Sequence, residues 1–247
     1  VRLRSILLLV AVTTVGGLVT VAPGAGAGGK TCGAGAHGSK GYAYAGHQAT
    51  TVAHGVEATI TPLARPAVAA GHVAGWVGVG GPGQGANGET VWLQVGVAAL
   101  PGTPTMIYAE ITRAGKDPVF LPVLENVALG ESHRVAVLEA TPNVWRVWVD
   151  GKPVTEPLLL PGSSGRWRPI ATAESWDGGA STCNGFSFRF DGVRIATKSG
   201  GRWRTFVPGF RFLDRGFSLQ QLAGTAGRQR SLAAGRITPY AFDASSD

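Results

Sequence analysis

Short runs of alternating apolar residues, each closed by a glycine-bearing turn, recur along this chain from Val91 to Phe206. Successive side chains of a strand point to opposite faces, so such runs suit half-buried strands and leave no place for a long amphipathic helix. The pattern predicts strands at residues 72–79, 91–99, 105–113, 118–124, 132–140, 144–150, 167–175, 185–197 and 202–206. Pro101-Gly102, Gly130-Glu131, Asp150-Gly151, Pro161-Gly162 and Gly200-Gly201 punctuate them. Two earlier runs, Tyr42-Ala43-Tyr44-Ala45 and Val56 to Thr61, have the same character. Many short strands with glycine turns imply an all-β protein of packed antiparallel sheets, a sandwich.

Asp150-Gly151 between two such runs is a strong hairpin signal. The strand before it puts Trp145, Val147 and Val149 on one face and Val144 and Trp148 on the other. One ring belongs in the core and the other under a loop; the sharper alternative sets Trp148 beside a sugar or peptide. Gly80 to Gly88 reads as a flexible crossing and lacks the lysine of a phosphate loop.

The ends of the chain differ from its middle. Arg2 and Arg4 precede an apolar run from Ile6 to Val21 and then the small residues Ala22 to Ala27, the order of a secretory signal peptide covering residues 1–27. Residues 28–70 form an amino-terminal segment that reads as strand-forming or as propeptide-like. Residues 71–206 make the sandwich core, and residues 207–247 a basic extension packed on or near it. Within that extension Phe210 to Leu222 suits an edge strand and a turn, Ala223 to Ala234 a short helix, and Ala241 to Asp247 a frayed end.

Export to an extracellular location, with no membrane anchor once the signal is cut, permits a disulfide between the two cysteines, Cys32 and Cys183. The net charge of +7 is partly gathered at Arg202, Arg204, Arg211, Arg215, Arg228, Arg230 and Arg236. No nucleic-acid motif accompanies these arginines, so no nucleic-acid partner is expected. A monomer is the simplest assembly.

Three of the predicted strands share an unusual polar face. Val91, Leu93, Val95 and Val97 line one side of theirs, leaving Trp92, Gln94 and Gly96 on the other. Tyr108 and Glu110 align on a second strand, and Glu174 and Trp176 on a third. Glutamate is disfavoured in strands, so Glu174 stands out. Packing against rings excludes water and disfavours a carboxylate's charge, which suits an acid or base working below neutral pH. With Gln94 holding a water and donating an N–H to the developing oxyanion, and Glu174 taking the water's proton, such a pair hydrolyses an amide without metal, cofactor or side-chain nucleophile.

These residues resemble the glutamic peptidases, secreted acid endopeptidases with a concanavalin-like antiparallel β-sandwich (a jelly roll) and a glutamine–glutamate catalytic pair. The resemblance runs through Trp76-Val77-Gly78, Leu93-Gln94-Val95-Gly96-Val97, Tyr108-Ala109-Glu110, Gly130-Glu131 and Ala173-Glu174, in matching order over residues 70–197. It implies Gln94 and Glu174 as the catalytic pair, with a polypeptide substrate. Trp76, Trp92, Tyr108, Glu110 and Trp176 would bind substrate or support the pair. The chain departs from the family at Gly80, where an acidic residue is usual, and at Ile111 and Thr112, where aromatic residues are. Those departures remove groups that would orient Gln94.

Two other readings use the same residues. Glu110 and Glu174 are a candidate carboxylate pair for a glycoside hydrolase, with Trp92 or Trp176 stacked on a sugar. A noncatalytic module binding an extracellular glycan or a protein, or a catalytically inactive relative of the peptidases, would use the exposed tryptophans alone, and Val147 to Gly151 resembles the hairpin of laminin-G-like lectin domains. The five histidines, His37, His47, His54, His72 and His133, show no metal spacing, and His133, beside Arg134 on a solvated strand, is expected to be structural or exposed. Ser181 and Ser187 have no convincing His and Asp arrangement.

Overall fold

The structure is a computed structural model that describes residues 41–176, 184–222 and 240–246. The first half of the chain supplies β1 (Tyr42–Ala49), β2 (Gly55–Pro62), β3 (His72–Gly81), β4 (Val91–Ala99), β5 (Met106–Thr112) and β6 (Val119–Leu124). Next come β7 (His133–Thr141), β8 (Val144–Val149), β9 (Lys152–Pro153), β10 (Leu158–Leu159) and β11 (Ile170–Trp176). The last are β12 (Ser187–Ala196), β13 (Trp203–Thr205), β14 (Pro208–Leu213), β15 (Phe217–Gln221) and β16 (Tyr240–Ser246). All pair antiparallel, in two sheets ordered β14-β1-β11-β3-β4-β5-β6 and β10-β8-β7-β2-β12-β16-β15. The fold is the expected all-β sandwich.

Alternation explains how the sheets meet. Val73, Val77 and Val79 of β3, with Val91, Leu93, Val95 and Val97 of β4, turn inward. They pack on Val56 and Ile60 of β2, Val135 and Val137 of β7, and Phe188 and Phe190 of β12. Phe188 nests on Gly75, where an added Cβ would stand 2.9 Å from its ring. On β8, Trp145, Val147 and Val149 are buried and Trp148 lies on the opposite face, as alternation requires. The hairpin after it turns through Asp150 and Gly151, both at positive φ (49° and 78°), the backbone such a two-residue turn demands.

The domain boundaries need correction. A division at residue 71 cuts through the sandwich, because β1 lies between β14 and β11 while β2 lies between β7 and β12. Ala43, Ala45 and Ala58 are buried in the shared core, so residues 42–62 are strand-forming parts of it. The described strands beyond residue 206 are likewise integral: β14 edges one sheet, β15 edges the other, and β16 lies inside the latter. The frayed end expected at Ala241 is therefore a paired strand, with Phe242 and Ala244 fully buried and Asp243 in a bidentate pair with Arg189. Of the two readings of His133, structural or exposed, the structure has the first: it is buried against Asp150, with Nδ1 to Oδ2 at 2.8 Å. The signal segment, Cys32, Cys183 and the helix expected at 223–234 lie outside the described residues.

One further cluster is structural. Glu139 is fully buried and accepts from the Asn143 backbone N–H, the Ser199 hydroxyl and His54. Ser199 and Glu139 both approach the same ring nitrogen of His54, Nδ1, so the three cannot relay a proton in line.

Candidate functional site

The three polar-faced strands do lie in one sheet, and their polar faces coincide. Across the β3–β4 ladder Trp76 stands opposite Gly96, Gly78 opposite Gln94 and Gly80 opposite Trp92. Each large side chain thus faces a position with none, which lets it lie down over the sheet and leaves the surface open. The spacing is tight: a Cβ on Gly78 would stand 2.9 Å from the Gln94 Cβ and 3.1 Å from Cζ3 of Trp76. Continuing outward, Gln94 pairs with Glu110 and Gly96 with Tyr108 on β5, while on the other side Ala74 pairs with Glu174 and Glu174 with Tyr44.

Two polar groups form on this face. At the first, the Glu174 carboxylate meets His72 Nε2 at 2.8 Å through Oε1 and accepts from Trp76 Nε1 at 3.3 Å through Oε2. Glu174 is 6% exposed, and Tyr42, Tyr44 and Trp176 surround it. Burial, followed by the charges of Glu174 and Glu110, pushes the Tyr42 phenol up to about 12; burial and Glu174 push that of Tyr44 further. At the second, Gln94 Nε2 donates to the Tyr108 hydroxyl at 3.0 Å and to Glu110 Oε2 at 3.4 Å. Trp92 Nε1 donates to Glu110 Oε1 at 3.0 Å, and Phe120 stacks on Tyr108 with centroids 4.9 Å apart.

Among the described residues no direct hydrogen bond joins Gln94 to Glu174. They sit diagonally across β3, at the levels of Gly78 and Ala74. At about 4.8 Å per strand and about 3.4 Å per residue, their Cα atoms are roughly 16 Å apart on a flat sheet. The indole of Trp76 fills the ground between them, its N–H at Glu174 and its Cζ3 edge beside Gly78. Electrostatics nevertheless couples the groups. Burial, and next the Glu174 charge, raises the Glu110 carboxyl above its usual range, against the opposing Trp92 hydrogen bond and the His72 charge. Any molecule acted on by both Gln94 and Glu174 must lie over Trp76.

The structure thus puts all seven residues singled out in the sequence, Trp76, Trp92, Gln94, Tyr108, Glu110, Glu174 and Trp176, on one face of one sheet. One expectation changes: both Gln94 N–H groups are engaged, by Tyr108 and Glu110, so neither is aimed at a developing oxyanion in this arrangement. Sequence reasoning missed His72 and Tyr44 as neighbours of Glu174. The Tyr42/Tyr44 alternation was a usable signal for a polar face; nothing local marked His72. Trp148 stands away from this face, on the other sheet. Two depressions also lie elsewhere, one against Glu57, Arg134, Arg194 and Trp203, the other against Pro62, Leu100 and Leu129.

No protein-family model and no curated protein sequence matches the chain. Among solved structures, it is similar to scytalido-glutamic peptidase with a transition state analog inhibitor, at 12% identity and a TM-score of 0.53. That match covers 83% of this chain and 98% of the other. A second structure of that peptidase, with a peptide based transition state analog, matches over the same shares at 12% identity and a TM-score of 0.50. A Bacillus licheniformis beta-glucanase also matches, over 53% of this chain and 55% of its own, at 18% identity and a TM-score of 0.34. At these identities the likeness to the peptidase shows a shared sandwich fold.

Proposed function

We propose that the chain is a hydrolase of the glutamic-peptidase type that cleaves polypeptides at acidic pH. The observation that carries this reading is the common face of Glu174, Trp76 and Gln94, with each polar group held by named partners and the Trp76 indole forming the floor between them. A substrate strand laid over Trp76 brings its scissile carbonyl between the two groups. Glu174 takes a proton from a water as the water oxygen bonds to the carbonyl carbon. The Gln94 amide, once turned from the Tyr108 and Glu110 contacts it holds here, donates to the oxygen on which charge grows, and the proton passes from Glu174 to the nitrogen as the C–N bond breaks. Trp76 and His72 fix the carboxylate in place. Export belongs to the same proposal, on the strength of the amino-terminal pattern of residues 1–27, and an oxidising compartment would suit a bridge between Cys32 and Cys183.

The test is hydrolysis of denatured casein between about pH 2 and 6, with and without chelator. Glu174→Gln should cut the rate by about 10²–10⁴-fold, the range for a lost general base. Intact casein at every pH with the wild-type protein sinks the proposal. A second reading, a glycan-binding module, is favoured by the rings of Tyr42, Trp176, Tyr44 and Phe212 gathered on the same face. Saturable quenching of tryptophan fluorescence by an oligosaccharide, with casein untouched, would establish it.

A further inference from the structure

Both donors of the Gln94 amide are turned away from the place where an oxyanion donor is needed. They go to two different kinds of acceptor. The Tyr108 hydroxyl both donates and accepts, so it bonds either end of an amide; an ionised carboxylate only accepts, so it bonds the NH₂ end alone. With Glu110 ionised, Gln94 must present Nε2 to it, as observed at 3.4 Å. With a proton on Glu110 Oε2 the requirement reverses: that O–H donates, and the amide can turn over so that Oε1 accepts from both Glu110 and Tyr108. Trp92 Nε1 is undisturbed by the change, because it donates to the other oxygen, Oε1.

We propose that Glu110 is a positioning residue whose protonation decides which end of the Gln94 amide faces the open sheet. In the protonated state the NH₂ group is turned outward and supplies the oxyanion donor; in the ionised state Gln94 offers only its carbonyl oxygen there, which repels a developing negative charge. The inference rests on the hydrolase reading above and gives it an acid requirement separate from Glu174. The surroundings of Glu110 agree. Beside it on β4 stand Trp92 and Gln94, and across β6 Phe120, none of them charged. The charges that reach it are Glu174 from β11 and His72 from β3, with the Tyr108 and Tyr42 phenols nearby. Burial and Glu174 together hold its proton to higher pH than an ordinary carboxyl would.

The experiment follows the side-chain amide of Gln94 by ¹H–¹⁵N NMR, its resonances identified by their loss in Gln94→Ala, alongside casein hydrolysis across the acid range. In the wild type the Gln94 signals should move with a single titration, and the rate should fall at least tenfold on the alkaline side of the same midpoint. Glu110→Gln, which donates at every pH, should abolish that movement and leave a fall of under threefold. Tyr108→Phe should keep the titration, since the hydroxyl adapts to either end. A Gln94 amide that does not titrate, or one that titrates equally in Glu110→Gln, overturns the inference even if casein is cleaved. An amide that titrates as described in a protein that cleaves nothing upholds Glu110's control of Gln94 while removing the hydrolase reading.

Discussion

Gly96→Ala tests whether the open face is held by absent side chains or merely tolerates them. Gly96 has no positive φ to defend, so on conformational grounds alanine should help, by about 0.5–1 kcal/mol through a less disordered unfolded chain. Space argues the reverse. An added Cβ would stand 2.0 Å from the Gly75 carbonyl oxygen, 2.6 Å from Trp76 Cα and 2.8 Å from Trp76 Cβ. These are backbone atoms or fixed to the backbone, so no rotamer change relieves them and β3 and β4 must part. Overpacking of this kind costs about 1–3 kcal/mol, and an unyielding neighbour puts it at the upper end. The net expectation is a loss of about 2 kcal/mol, which at an m-value of about 2 kcal/mol/M lowers the urea midpoint by about 1 M. Gly185→Ala is the control: it too lacks a positive φ, and its Cβ would meet Ala67 Cβ at 3.4 Å, an ordinary contact. Its midpoint should hold or rise. Equal midpoints for the two variants would refute the steric argument.

Two further outcomes follow from the geometry. Glu110 holds its proton to higher pH in the folded protein than the ordinary value of 4.5, so between those two values the folded state binds more protons than the unfolded one. Its contribution to stability is complete below 4.5 and is lost as pH rises through the raised folded value; urea midpoints should therefore fall less between about pH 4 and pH 7 in Glu110→Gln than in the wild type. Trp145→Ala removes a fully buried ring and the partner of the Ser163 hydroxyl, bonded at 2.8 Å, and should cost about 3–5 kcal/mol in chemical denaturation; a loss under 1 kcal/mol would show that the ring is not a core element.

What the sequence disclosed was local. Alternation in Val91 to Ala99 and Ile170 to Trp176 placed Gln94 and Glu174 opposite the core face of their strands, and the Asp150-Gly151 pair announced its hairpin. Partnership was not disclosed, because it depends on register between distant strands. His72 reaches Glu174 across 102 positions only because β3 pairs with β11 so that His72 lies opposite Trp176. Composition misled at the ends. The run Tyr42 to Ala45 had strand character but was set apart from the sandwich, yet Ala43 and Ala45 are buried beneath the facing sheet. The alternation of Tyr240, Phe242 and Ala244 was short and terminal, and only the antiparallel pairing of β16 with β12 gives it a place.

The position of β16 also bears on how this molecule is made. β16 fills the gap between β12 and β15, and β1 that between β14 and β11, so in each sheet an earlier strand is completed by one made later. During synthesis, when β12 is complete at Ala196, β1 still lacks its neighbour β14 and β12 its neighbour β16, so both expose ladder groups that nothing upstream will cover. Such pairing is slow and leaves edges open to association, so a ribosome-bound or prematurely terminated chain should be the form most prone to self-association.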